Sequence, residues 1–376
     1  MGYVAVRGGT EAIEASIERL KYERLRKKRI LDADAVEAGM RALVDQVMSE
    51  ASLYDERVAA LSIKQAEGSP EEAVFLMRAF RSTLPRRHCS LTIEAASMRV
   101  ERRISASFKD VPGGQILGAS CDYTHRLIDE GLAWESEEEA ASWVAEYLER
   151  TEDAGREDRV PHTLPSAIDY VRELGLIERR PLDDAEPLDV TRKSIAFPTK
   201  RSERLQILSR GQTGAVTALG YAALRGYGAT LHPTVGELRV GSVEVYVPDP
   251  FAAAGPAEGR AGRPEDAYYI GRIRLTEAET LVPVHSRGPE GERGISFDIG
   301  YGAAFGQNET KAIAMSVLDQ CLESGDKRYP TQDEEFVLLH VDSVEATGFI
   351  SHLKLPHYVT FQSKLDAARK SREERP

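Results

Sequence analysis

His352 and His357 stand five positions apart in the segment Ser351-His352-Leu353-Lys354-Leu355-Pro356-His357-Tyr358. On a continuous helix, residues five apart point roughly 140° away from each other and cannot share one ligand. Pro356 argues against such a helix, because its ring would clash with the carbonyl of His352. The same proline biases Leu355 toward an extended conformation. The segment therefore reads as a bent loop that can turn both imidazoles toward one point. Two imidazoles on a short loop are half of a zinc site. No cysteine follows Leu322 to complete it. The other ligands must come from elsewhere in this chain or from another chain. The plainer alternative is a pair of surface histidines with no metal.

Four further clusters carry chemistry-bearing residues. Arg102, Arg103 and Lys109 precede Pro112-Gly113-Gly114-Gln115, three cations beside a flexible turn in an acidic protein. Guanidinium forks and exposed backbone amides suit phosphate or phosphonate oxygens. An ordinary basic surface face would look the same. Asp122, His125 and Arg126 follow within five positions. On a helix, Asp122 and His125, or His125 and Asp129, would be neighbours. An Asp–His pair can move a proton or hold a metal; a polar helix start is the alternative. Arg225-Gly226-Tyr227-Gly228 places an aromatic between glycines, where Tyr227 can stack on a base, or simply make a turn. Asp333-Glu334-Glu335 leads through an apolar run to His340 and Asp342. Such hard carboxylates suit Mg²⁺ when a nucleotide supplies further oxygens, though three acids in a row are more often solvated.

The elements that must position these residues follow from composition and period. The chain has 376 residues, 41% of them hydrophobic, enough for a large core. A net charge of −12 argues against a general nucleic-acid binder but allows a local basic pocket. Three widely spaced cysteines fit a reducing cytoplasm better than a disulfide scaffold. The N-terminus lacks the pattern of a signal peptide, and no apolar run is long enough to span a membrane. Helices are predicted from Thr10 as cap, over 35–49, and from Ser69-Pro70 to before Pro85. More follow over 135–152 behind Ser136, near 166–174 up to Gly175, over 309–322 and from about Thr360. Strand character marks 238–247, 268–275 and 295–301; residues 251–266 read as an exposed loop. The class is α+β, with a helical N-terminal region (1–130), a variable helical connector (131–203) and a mixed α/β C-terminal region (204–376).

Taken together, the ordered blocks resemble the PhnI family, core subunits of the bacterial carbon–phosphorus lyase complex. The blocks are Tyr3-Val4-Ala5-Val6 with Gly8-Gly9, Arg78-Ala79-Phe80-Arg81, Glu101-Arg102-Arg103-Ile104-Ser105-Ala106 and Pro112-Gly113-Gly114-Gln115. They continue with Asp122-Tyr123-Thr124-His125-Arg126-Leu127, Arg225-Gly226-Tyr227-Gly228, His232-Pro233, and Gln332 to Val337 through Ser351 to Val359. Roughly 130–200 and 250–295 do not match well, and nothing functional is carried onto them. The resemblance implies the first committed step of phosphonate breakdown, in which a phosphonate displaces adenine from MgATP to give a ribose 1-phosphonate 5-triphosphate. It implies a purine nucleoside triphosphate nucleosidase activity for the subunit alone. It also implies that His352 and His357 bind Zn²⁺ at an interface with a radical S-adenosylmethionine subunit of a cytoplasmic hetero-oligomer. From residue chemistry, Arg102, Arg103, Lys109 and Arg126 are expected on anionic oxygens, Asp122 and His125 in acid/base or oxocarbenium support, and Tyr227 on the base. Asp333 and Glu334 are weaker candidates for Mg²⁺. The competing expectation is a scaffold subunit that completes a zinc site while the chemistry lies on a partner. Neither nucleic acid nor membrane is expected as a partner.

Overall fold

Capping signals and apolar period build the helical front. The computed structural model describes residues 9–154, 164–177, 186–228, 231–249, 267–287, 293–355 and 357–373. Helix α1 (Gly9–Leu25) takes Thr10 into its first turn, and its Ile13, Ile17 and Leu20 all stay exposed. The apolar stripe over 35–49 forms two helices, α2 (Ala33–Gly39) and α3 (Arg41–Ala51), broken at Met40 with φ −111 and ψ 39. Asp55 caps α4 (Glu56–Gln65) by accepting the Val58 N–H at 2.9 Å. Ser69 caps α5 (Pro70–Thr83), with Pro70 in the first turn where its missing N–H costs nothing. Val36, Val47, Met48, Ile63, Val74 and Met77 close this subdomain as one buried cluster.

Strand β1 (Arg99–Ile104) comes next, then a loop and α6 (Glu137–Ala154), whose Ser136 accepts the Glu139 N–H at 3.2 Å. The short α7 (Asp169–Glu173) ends at Gly175, which has φ 68. Helices α8 (Arg201–Arg210) and α9 (Thr213–Ala222) follow, and the chain beyond α9 kinks at Gly226, whose φ is 99. Strands β2 (Thr234–Pro248), β3 (Ala267–Arg287) and β4 (Arg293–Phe305) precede α10 (Glu309–Glu323), α11 (Glu334–His340), α12 (Ser343–Ser351) and α13 (Tyr358–Glu373). The loop expected over 251–266 lies outside the described residues, as does the Tyr3–Val6 block.

Among the described residues, the strands form one antiparallel sheet in the order β1-β2-β3-β4. The fold is α+β, as the sequence indicates. Alternation along the strands gives the sheet two unlike faces. One face packs on α10, with Leu238 and Ala278 against Ala312. Gly300 makes that approach possible, since a Cβ there would fall 1.8 Å from the Ser316 carbonyl oxygen of α10. The opposite face buries charge. Arg239 stands across from Glu277, and Glu237 across from Glu279. Arg103 adds its Nε to Glu237 at 2.6 Å, and the Tyr301 hydroxyl donates to Glu277 at 2.9 Å. Adjacent arginines in β1 thus face opposite ways, Arg103 into this charged layer and Arg102 toward α10.

Candidate functional site

The loop that leaves β1 is tied to the N-terminal end of α10, and Arg102 is the main tie. Its Nε donates to Glu309 at 3.1 Å, its Nη1 to the Leu117 carbonyl, and its Nη2 to Asp122 at 2.6 Å. The side chain is 4% exposed. Burial works against its charge, yet Glu309, Tyr123 and Asp122 together hold the guanidinium pKa above its ordinary value. Gln307 adds a second tie, donating to the Ala119 carbonyl at 2.9 Å and to Glu309 at 2.7 Å. Gly118 lets the loop lie flat on β1, because a Cβ there would come within 2.7 Å of the Glu101 carbonyl oxygen, and its φ is +58. The other oxygen of Asp122 accepts from Arg126 Nη2 at 3.1 Å. One carboxylate therefore bridges two guanidinium groups. Arg126 achieves this with φ 53, a left-handed conformation uncommon outside glycine.

This geometry replaces the helical reading of 122–129. Cys121–Tyr123 is a single 3-10 turn, and the loop beyond it is irregular. Asp122 pairs with Arg102 and Arg126, not with His125, which lies exposed on the same loop. Asp129 caps the 3-10 turn Glu130–Trp134 by accepting the Gly131 N–H at 2.9 Å. Lys109 is exposed. Arg103 is placed differently from its expected role on anionic oxygens. It is fully buried and directs its donors to Glu237 and to the Pro112 and Pro165 carbonyls.

Tyr227 stands apart from this cluster. It is well exposed, and its neighbour Gly228 lies against Cys321 and Thr331. Glu309 and Cys321 are at opposite ends of α10, which at 1.5 Å per residue puts roughly 18 Å between them. The chain therefore does not bring Tyr227 and Asp122 into one small pocket. Asp333 caps α11 by accepting the Glu335 and Phe336 N–H groups, and Glu334 accepts from the Thr199 N–H and hydroxyl. Both carboxylates thus serve the fold where Mg²⁺ ligation was expected. Among the described residues, no group of three His, Cys, Asp or Glu side chains is placed to hold a metal ion. Glu309 and Gln307 escaped the sequence reading. Only their meeting with a loop about 190 positions away reveals them, and no local signal marks them.

The chain turns at the histidine segment and leaves the two imidazoles close together. His352 ends α12 and opens a 3-10 turn, His352–Lys354, while Leu355 is extended at φ −72 and ψ 148. The two imidazole centroids are 5.5 Å apart. His357 Nδ1 faces the Leu355 carbonyl at 2.6 Å, and His352 Nδ1 faces the Phe349 carbonyl. A donating Nδ1–H on each ring leaves the Nε2 lone pair outward, the state a metal takes. Both rings are exposed. Two imidazoles supply half of a four-ligand zinc site, so this donor set fits a shared centre.

Comparison with known proteins gives one consistent answer. The family described as "Bacterial phosphonate metabolism protein (PhnI)" matches residues 2–375. The chain is 42% identical over 388 residues to the "Alpha-D-ribose 1-methylphosphonate 5-triphosphate synthase subunit PhnI" of Rhizobium meliloti (strain 1021), covering 99% of this chain and 95% of that protein. It is 39% identical over 380 residues to the protein of the same name from Escherichia coli (strain K12), covering 99% of each. A third relative, HtxH of Stutzerimonas stutzeri, is 41% identical over 379 residues, covering 99% of this chain and 96% of its own length. Full-length likeness of this order, together with the family match, shows that the chain belongs to the bacterial phosphonate metabolism protein (PhnI) family.

Proposed function

We propose that this chain is the α-D-ribose 1-methylphosphonate 5-triphosphate synthase subunit of a carbon–phosphorus lyase complex. In this reading it exchanges the adenine of MgATP for an alkylphosphonate at the ribose anomeric carbon. The observation that carries the reading is the full-length likeness to two synthase subunits of that name. The loop at the N-terminal end of α10 suits the chemistry. Loss of the base develops oxocarbenium character on the ribose, which a carboxylate stabilises. Asp122 and Glu309 both converge on Arg102 there. His125, exposed on the same loop, is the proposed proton donor to the leaving base. Arg102 and Arg126 are the proposed anion contacts, with Lys109 as an outer cation. The Mg²⁺ enters with ATP.

His352 and His357 are proposed as two ligands of a Zn²⁺ completed by another subunit, the radical S-adenosylmethionine component in this reading. Zinc there would lock α12 and α13 to that partner. Tyr227 keeps its proposed stacking role only if a partner or a long nucleotide spans the distance along α10. That separation favours a second reading, in which the chain scaffolds the complex and a partner contributes to the catalytic pocket.

Incubating the purified chain with MgATP and following adenine by chromatography separates the two. Adenine together with ribose 5-triphosphate places the glycosidic chemistry on this chain. No release from folded protein, with release restored by partner subunits, supports the scaffold reading.

A further inference from the structure

The carboxylate of Asp122 bridges a buried guanidinium, Arg102, and an exposed one, Arg126. We infer that Arg102 and Arg126 form a seat for a tetrahedral oxyanion, that Asp122 fills this seat in the free chain, and that the ligand displaces it. The inference rests on the reading of this loop as the anion-handling part of the synthase. It adds a place-holder and an exchange that this reading does not contain.

Three observations carry it. First, the two Asp122 oxygens go to different guanidinium groups, at 2.6 Å to Arg102 and 3.1 Å to Arg126. Two oxygens of a phosphonate or phosphate can repeat that pattern. Second, the two arginines are unlike. Arg102 is buried, and Glu309 and the Leu117 carbonyl fix its Nε and Nη1, so its Nη2 is aimed at one point. Arg126 is 64% exposed and holds Asp122 from a left-handed backbone. A buried, braced inner cation and an exposed outer one suit capture of an anion from solution. Third, the displaced group can leave. Asp122 itself is about half exposed, and residues 121–134 are exposed throughout. Moving Asp122 therefore opens no core. The charges facing the seat are Arg102, Arg126 and, behind Arg102, Glu309. Without Asp122 they sum to one positive charge, which favours an anion.

Displacement has a consequence for the synthase reading. The anion that seats itself frees a carboxylate beside it, at the step when cationic character must be met on the ribose. Seating and activation then become one event.

The test titrates the full chain, alone and with its partner subunits, against methylphosphonate and separately against Mg²⁺-free ATP at fixed ionic strength. Asp122→Asn is expected to tighten binding of one of these probes by about fivefold or more, because the competing carboxylate is gone. Arg126→Gln is expected to weaken the same probe by about tenfold. Asp129→Asn, which removes an equal charge nearby, should change affinity by less than about twofold. Tightening for methylphosphonate assigns the seat to the phosphonate; tightening for ATP assigns it to a nucleotide phosphate. Hydrogen exchange gives a reading that needs no variant, since ligand should speed exchange over 117–126 in the unmodified chain. Equal tightening by Asp122→Asn and Asp129→Asn, or no change on either probe, overturns the place-holder. Adenine release that persists in that case leaves the synthase reading standing.

Discussion

Arg102 and Arg103 are neighbours in sequence, and the pleat of β1 gives them different work. Arg103 is an internal strut. Its side chain and that of Glu237 are both almost fully buried, 2.6 Å apart. Removing one partner of such a pair leaves a buried charge uncompensated. Arg103→Ala should therefore destabilise the chain by about 3 kcal/mol or more in urea unfolding. A variant of normal stability but lost anion binding would instead return Arg103 to the list of ligand contacts. Lys311 is a second buried charge, fully enclosed beside Ser49 at 3.1 Å. Burial pulls its pKa down to about 8, against the pull of Glu50 and with the help of Arg78. An unfolded lysine titrates near 10.4, so between about 8 and 10.4 the unfolded chain holds more protons than the folded one. Stability contributed by this group should rise with pH across that window, by up to roughly 3 kcal/mol relative to Lys311→Met. Unfolding both proteins between pH 7.5 and 10 reads the difference directly; a flat difference would show that Lys311 is not the titrating group.

At the scale of elements, the decisive contact is the one that places α12. Arg78 of α5 donates to both oxygens of Asp342, at 2.8 and 2.7 Å, and to the Glu50 and Arg210 carbonyls. Asp342 in turn caps α12 through the Val344 and Glu345 N–H groups. The helix that presents His352 is thus fixed at its start, while its far end and the histidine loop stay exposed. Changing His352 and His357 together to Ala should accordingly shift stability by no more than about 0.5 kcal/mol, as for other exposed sites. The same change should abolish stoichiometric zinc in complex purified with its partners, as read by elemental analysis. Zinc retained at full stoichiometry would mean that the ligands lie elsewhere.

Such elements differ in how far their residues announce them. Ser69-Pro70 and Ser136 declare their helices locally, because a cap is a contact between near neighbours. The turn after His352 was legible for the same reason, since a proline at 356 disfavours a helix through His352 and biases Leu355 toward an extended conformation. Strand β1 was not legible. Arg99-Val100-Glu101-Arg102-Arg103-Ile104 has the charge of a surface segment, and Arg102 and Arg103 become buried only because Glu309 and Glu237 meet them from far along the chain. The break at Met40 was hidden too, since the apolar stripe runs through it unbroken. The candidate site therefore showed its residue types in the sequence, while its pairing depended on long-range contacts.

On the scale of the whole molecule, burial is unevenly shared. Helices α1 and α13 bury no residue, and α6 is exposed wherever its side chains are described. Yet these helices carry apolar side chains in helical register. In α6, Trp143 and Tyr147 stack on each other with centroids 5.3 Å apart, out in solvent. In the α12–α13 region Phe349, Ile350, Tyr358, Val359 and Phe361 are all more than half exposed. An isolated helix of 16 to 18 residues is marginal in water, because its nucleus is costly and packing supplies most of its stability. These segments should therefore exchange their amide hydrogens readily in the purified single chain, while α3, α5 and α10 stay protected. Addition of the partner subunits should slow exchange in α13 beside the histidine loop, as packing replaces water there. Protection of α1, α6 and α13 equal to that of α10 in the single chain would show that they already pack, and would shift the search for subunit contacts to the outer edges of the sheet.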